Sequence, residues 1–282
     1  MQQPLIIVGM HRSGTSMLTR ILRHQGVFLG ARIQGDDEAL FFLKLNRWML
    51  HMAGTEWDNP LPALKMIEDP ANIDRLLPVL RERLSSIHSA EFFGKKYLAA
   101  GRSIDTKIPF PWGFKDPRSS LFLPVWLRIF PEARILRIQR HGLDVAESLR
   151  TRHRKLVASR SGHYQKLARA GLQLPHRHRV TGAVRVGEIE GGVALWDEYE
   201  TAIDRAWGAI ADHRKMAIRY EDYLQDPAAH HREIGQFLDF AIERPLPDDI
   251  RPDPSRAFAF RSKPELVAME KGLAPALSRH GY

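Results

Sequence analysis

Hydrophobic and polar positions along the chain alternate between two periods. Pro4–Val8 is a short unbroken apolar run ended by Gly9, the pattern of a buried strand. Thr15–Arg23 places Met17, Leu18, Ile21 and Leu22 on one helical face. Helices are then predicted over Asp36–Leu50 and Asn72–Ile87, whereas the Pro- and Gly-bearing stretches Asn59–Ala71 and Ala99–Trp112 read as loops. Phe114–Asp116 reads as the end of a short strand, with a helix over Ser120–Phe130 behind it. Ala133–Gln139 is a clear strand, followed by a helix from Leu143 to about Lys155. A long amphipathic helix over Glu190–His213, a strand over Met216–Arg219 and a helix over Pro227–Leu238 complete the series. Strands alternating with helices predict an α/β fold, a central parallel sheet with helices on both faces. No repeat, low-complexity tract or linker breaks the pattern, so one domain over residues 1–282 is expected.

Composition narrows the chemistry. The 282 residues include no Cys, which excludes disulfides, a thiolate nucleophile and Cys-ligated metal or iron–sulfur sites. No apolar run reaches the roughly 18–20 residues of a membrane span, and the first run is too short for a signal-peptide core. A cytoplasmic enzyme or binding protein is the resulting expectation. The net charge is +9, but it is not spread evenly. Ten basic residues fall between Arg150 and Arg185 with no acid between Glu147 and Glu188, so the remainder is near neutral. A uniform nucleic-acid-binding surface is therefore not implied.

The turn after the first strand, Gly9-Met10-His11-Arg12-Ser13-Gly14-Thr15-Ser16, has the G-x-x-x-x-G spacing of a phosphate loop. Glycines let backbone N–H groups wrap an anion, and the following helix start adds its positive dipole end. A nucleoside-triphosphate loop would carry Lys at position 15. Here Thr15 takes that place and the cation is Arg12, with Ser13, Gly14, Thr15 and Ser16 as further donors. The strand best placed for a magnesium-binding Asp ends instead in Arg140-His141, so no metal is expected. The plainer alternative is a glycine turn that merely starts a helix.

Arg140-His141-Gly142-Leu143-Asp144-Val145-Ala146-Glu147-Ser148 delivers an arginine at the C-terminal end of a strand, where ligands bind in open α/β sheets. Ser148 follows about two helical turns on. Together, the two segments resemble the nucleotide-dependent sulfotransferase family. Gly9–Ser16 is similar to its 5′-phosphosulfate loop and Arg140–Ser148 to its 3′-phosphate motif, with Gly142 where the family usually has Pro. Gly113-Phe114-Lys115-Asp116-Pro117-Arg118, Arg219-Tyr220-Glu221-Asp222 with Asp226-Pro227, and Phe237-Leu238 fit further family segments in order.

The resemblance implies 3′-phosphoadenosine-5′-phosphosulfate as donor and sulfuryl transfer to an acceptor hydroxyl or amine. Arg140 and Ser148 would hold the 3′-phosphate, and Arg12 and Lys115 would stabilise charge on the leaving oxygen. Some members use His as the base; that residue is missing after Lys115. Others resemble a pattern with Glu about 25–30 residues past the loop, which points to Glu38, with Asp37 second and His11 third. Clustering of Asp36, Asp37 and Glu38 would raise their pKa values; alternatively, these acids simply favour a helix N-terminus.

No acceptor contact is carried by a motif. Residues 27–70 and 150–187 are the expected acceptor-side insertions. The Pro175–Arg179 run with His176 and His178 suits either a basic groove for a glycan or another acidic, hydroxyl-bearing substrate, or a cationic lid over the donor. A P-loop small-molecule kinase and a nucleic-acid binder using residues 150–185 are the competing readings.

Overall fold

A computed structural model describes residues 3–104, 108–169 and 183–282, the stretch 160–169 by its backbone alone. The elements run β1 (Leu5–Val8), α1 (Thr15–Gln25), α2 (Leu40–Met52), α3 (Leu61–Glu68), α4 (Pro70–Ser85), α5 (Ala90–Phe93), β2 (Gly113–Lys115), α6 (Leu123–Ile129), β3 (Arg134–Gln139), α7 (Gly142–Arg169), α8 (Ile189–Trp207), β4 (Lys215–Arg219), α9 (Tyr220–Gln225), α10 (Pro227–Leu238) and α11 (Pro264–Arg279). The four strands form one parallel sheet in the order β2-β1-β3-β4, the expected α/β class. Every residue of β1 is buried, as a central strand covered on both faces requires.

The chain divides into two compact units, residues 1–140 with 198–257 and residues 141–197 with 258–282. The first holds the whole sheet. Its core packs Leu18, Ile21 and Leu22 of α1 with Leu136 and Ile138 of β3, Ile218 of β4 and Ile234 and Leu238 of α10. The second unit is built from α7, the first half of α8 and α11. There Asp144 accepts the backbone N–H groups of Ala259 and Phe260 at 3.2 and 2.8 Å, His141 stacks on Phe260 at 4.3 Å, and Asp197 pairs with Arg279 and His280.

Several element boundaries differ from the expectation for local reasons. The helix predicted from Asp36 begins only at Leu40, because residues 32–40 close a turn of their own. Ile33 bridges Ala39, and Asp37 takes a left-handed φ of 59°. The predicted loop 59–71 contains α3. Pro60 and Pro62 sit at its start, where a missing N–H costs nothing, and Asp69 then caps α4 by accepting the Ala71 N–H. α8 stops at Trp207 rather than His213, and α7 continues past Lys155 to Arg169. The helix α11, which runs through Gly272 and Pro275, has no counterpart in the patterning. Among the described residues no helix is long and apolar enough to cross a membrane.

Gly142, where the family pattern has Pro, is explained by packing within the second unit. A Cβ there would stand 2.8 Å from a ring carbon of Trp196 and 3.0 Å from Leu277. Gly142→Ala should therefore destabilise the fold by about 1–3 kcal/mol through overpacking. Gly142→Pro should do so at least as strongly. Thermal unfolding of the two variants against the native protein checks this; an unchanged midpoint for both would contradict the packing account.

Candidate functional site

Three segments meet at the C-terminal end of the sheet in the first unit: the loop after β1, the end of β2 and the end of β3. The β1–α1 loop folds as a tight turn, with the Ser13 N–H and hydroxyl both donating to the Met10 carbonyl at 3.2 and 2.6 Å. Arg12 has a left-handed φ of 72° and Gly14 one of 103°. Any side chain at Gly14 would strike the Tyr220 ring, 2.4 Å from where its Cβ would stand. α1 starts without a side-chain cap and with no acid in its first turn. Its dipole end is therefore not neutralised locally, which favours an anion there.

Register places Lys115 beside Ile7, at the edge of this loop. Lys115 is no surface ammonium, being 1% exposed. Its Nζ donates to Ser16 Oγ at 3.3 Å and to the Asp36 carbonyl, which also accepts the Ser16 hydroxyl at 2.6 Å. Burial pushes the Lys115 pKa down, against the opposing pull of Glu38 and Asp116. Thr15 is buried at the start of α1. Arg140, just past β3, donates to the Arg12 carbonyl at 3.4 Å and the Arg256 carbonyl at 2.9 Å, and its guanidinium lies 4.7 Å from the Tyr220 ring centre. Ser148 is half-buried on α7, in the second unit.

The acidic cluster is resolved differently from the expectation. Asp36 faces Arg12 at 3.7 Å, and Asp37 pairs with Arg20 at 2.8 Å and Arg23 at 3.8 Å. Glu38 alone turns inward, to 4% exposure. Its pKa is raised by burial first and by Asp116 second, while Arg118 and Lys115 pull it back. Mutual repulsion among Asp36, Asp37 and Glu38 is thus not the cause, and Glu38 sits just before the α2 N-cap Ala39 rather than in the first turn of that helix. Among these acids the geometry favours Glu38 over Asp37 as a group that could exchange a proton beside the loop.

Around Glu38 stand His11, the third candidate base, and side chains that sequence reasoning passed over. Arg118 Nη1 donates to Glu38 Oε2 at 3.2 Å and to Asp116 Oδ1 at 2.8 Å. His11 Nδ1 lies 3.9 Å from Glu38 Oε1, and the His11 ring packs against Trp57 at 4.7 Å and Tyr199 at 5.9 Å. The Tyr199 hydroxyl donates to the Trp57 carbonyl at 2.9 Å. Arg118 stood in a quoted motif but without a role; Trp57 and Tyr199 carry no local signal at all.

Of the basic stretch, Arg177 and Arg179 lie outside the described residues, as does the whole Pro175–Arg179 run. Among the described residues no group of three or more His, Asp or Glu side chains is placed to hold a metal ion.

No curated protein sequence matches the chain. Among solved structures it is similar to the sulfotransferase domain of the Synechococcus PCC 7002 olefin synthase, at 14% identity and a TM-score of 0.52 over 100% of this chain and 96% of that one. It is also similar to a sulfotransferase from Alicyclobacillus acidocaldarius, at 14% identity and a TM-score of 0.47 over 99% and 94%. The first likeness supports the fold. The model of the sulfotransferase family matches residues 4–244, most of the chain and all three segments of the site, so the protein belongs to the sulfotransferase family.

Proposed function

We propose that the protein moves a sulfuryl group from 3′-phosphoadenosine-5′-phosphosulfate to the hydroxyl, or amine, of an acceptor. The observation that carries this reading is the buried Lys115 ammonium at the mouth of an uncapped helix start, with the buried Glu38 carboxylate close enough to act on its charge. Fixed cations and N–H dipoles in a dry site stabilise charge developing on a leaving oxygen. The residues present fit such a donor at both ends. The loop donors, Arg12, Ser13, Gly14, Thr15, Ser16 and Lys115, suit the phosphosulfate, and Arg140 of the same unit suits the 3′-phosphate. When bound, the donor supplies an activated sulfuryl group whose bridging S–O electron pair leaves on the phosphate oxygen.

The chain's own residues then have separable tasks. Glu38 takes the acceptor's proton at Oε1, the oxygen that Arg118 does not hold. A base must be ionised to work, and Glu38 ionises above the usual carboxylate range because it is buried. Lys115 and Arg12 would stabilise the charge that develops on the leaving phosphate oxygen. Arg140 is fixed by two backbone carbonyls, so its guanidinium does not have to be ordered when it meets a phosphate. The acceptor remains a matter of chemistry: a basic 150–185 segment suits a glycan or other acidic, hydroxyl-bearing substrate.

Labelled donor offered with glycans, phenols, lipids and peptides tests the reading, and transfer to at least one class is expected. Calorimetry should show 3′-phosphoadenosine-5′-phosphate binding far more tightly than ATP with magnesium; the reverse order would make the protein a kinase instead. Arg140→Ala should abolish nucleotide binding in the same assay. Glu38→Gln should spare that binding and slow transfer by about 10²–10⁴-fold, the span of general-base contributions. Lys115→Ala should cost about 10²–10³-fold in kcat, as loss of one preorganised donor does. For the native enzyme, kcat should fall on the acid side as pH drops through a value above the 4.5 of an ordinary Glu, because only the ionised carboxylate accepts a proton. A profile flat through that region would remove Glu38 from the role.

A further inference from the structure

Behind Glu38 lies a chain of polar groups, fully buried at Asn46, Asp116 and Ser119 and nearly so at Arg118. Trp126 Nε1–H donates to Asn46 Oδ1 at 2.9 Å. Indole is a donor only, so this contact fixes which way the Asn46 amide faces. Asn46 Nδ2 must then point at Asp116 Oδ2, 2.9 Å away, and at Ser119 Oγ, 2.8 Å away. Asp116 Oδ1 in turn accepts the Arg118 backbone N–H at 3.1 Å and Arg118 Nη1 at 2.8 Å. The same Nη1 reaches Glu38 Oε2 at 3.2 Å. Asn46 and Asp116 are both 0% exposed, so neither can meet a substrate.

One guanidinium nitrogen is thus shared by two carboxylates, and the nearer one is not the one beside the loop. We infer that Asn46, Asp116 and Arg118 are positioning residues for Glu38, Asp116 holding part of the Arg118 charge away from the Glu38 carboxylate. Arg118 alone would keep Glu38 oriented but also strongly ionised, and a carboxylate so held is a weak base. Asp116 alone would repel Glu38 with nothing to orient it. Locked in place by Asn46 and Trp126, the pair orients Glu38 and leaves it basic. The other groups facing Glu38 are Lys115 from β2, His11 from the loop and Tyr199 from α8. On its own turn, Asp36 and Asp37 pair with Arg12, Arg20 and Arg23. None of these touches Asp116 through a hydrogen bond given above, so changes at Asp116 reach Glu38 through Arg118 and through space.

The inference rests on Glu38 being the base, yet it can be tested apart from turnover. Carbon-13 NMR of protein labelled at the glutamate side-chain carboxyl reads the titration of Glu38, its resonance assigned by its loss in Glu38→Gln. The double variant N46D/D116N exchanges carboxylate and amide. Trp126 still donates to position 46, the new amide at position 116 donates to the new carboxylate, the Ser119 hydroxyl turns to donate, and Arg118 still finds an oxygen. Net charge is unchanged, but the carboxylate stands one step further from Arg118. The Glu38 midpoint is expected to move to lower pH in this variant. Arg118→Gln removes the cation and should move it to higher pH.

A Glu38 midpoint unmoved in both, or raised by the exchange, would overturn the inference, since a merely structural network would not shift it. If thermal melting shows that the double variant does not fold, Arg118→Gln decides alone, and an unmoved or lowered midpoint overturns the proposal. Should the midpoints move as expected while Glu38→Gln retains transfer from labelled donor, the base assignment fails and the positioning role stands.

Discussion

An ammonium carried into the interior must find acceptors or lose its proton, and Lys115 shapes its surroundings on those terms. It stands at the end of β2, where the sheet delivers it against the loop after β1. Its charge is answered by the Asp36 carbonyl, by Glu38 and by Asp116. Glu38 and Asp116 need cations of their own, which Arg118 supplies. Two acids and two bases are therefore buried together, each tolerable because the others are present. The turn over residues 32–40 brings Glu38 into this group, and the Ala39 N–H bond to the Lys115 carbonyl at 3.2 Å ties that turn to the strand. The buried charged side chains and the local fold are consequently one structure.

The central strand β1 was legible because it is buried on both faces and therefore continuous in the pattern; β1 and β3 fall within a residue of their predicted ends. α10 was legible down to its boundaries, since Asp226 caps it and Pro227 occupies its first position. Prolines misled where they were taken to end structure: those before Leu61 and at position 62 start α3. The acids at 36–38 misled because a cluster before an apolar run resembles a helix N-terminus. The turn that separates them is made by backbone bonds between Gln34 and Glu38 and between Arg32 and Leu40, which leave no mark in composition.

For the site, the residues that touch the loop or end a strand could be named in advance, because position at a strand end is a local property. Arg12, Ser16, Lys115 and Arg140 are of this kind. Asn46, Trp57 and Tyr199 are not. They reach the site from α2, from the segment after it and from α8, across separations of tens to more than a hundred residues, and ordinary helix positions look the same whether or not they face a carboxylate. Gly142 is intermediate. Its departure from the family pattern was visible, but the reason, the Trp196 ring against its Cα, is not.

The Asp36 carbonyl gives the loop its most informative contact. Ser16 Oγ–H and Lys115 Nζ both donate to this one oxygen, so a hydroxyl and an ammonium are already gathered about a single acceptor. A neutral carbonyl is a modest acceptor for an ammonium, and a charged oxygen in the same place would take roughly twice the hydrogen-bond strength. On the proposed reading, a sulfate or phosphate oxygen has only to displace a backbone carbonyl to meet donors whose orientation is set beforehand. The exchange replaces one acceptor by a stronger one without burying a new unpaired charge. On the same reading, filling the loop would act on the turn that carries Glu38, two residues from the displaced carbonyl.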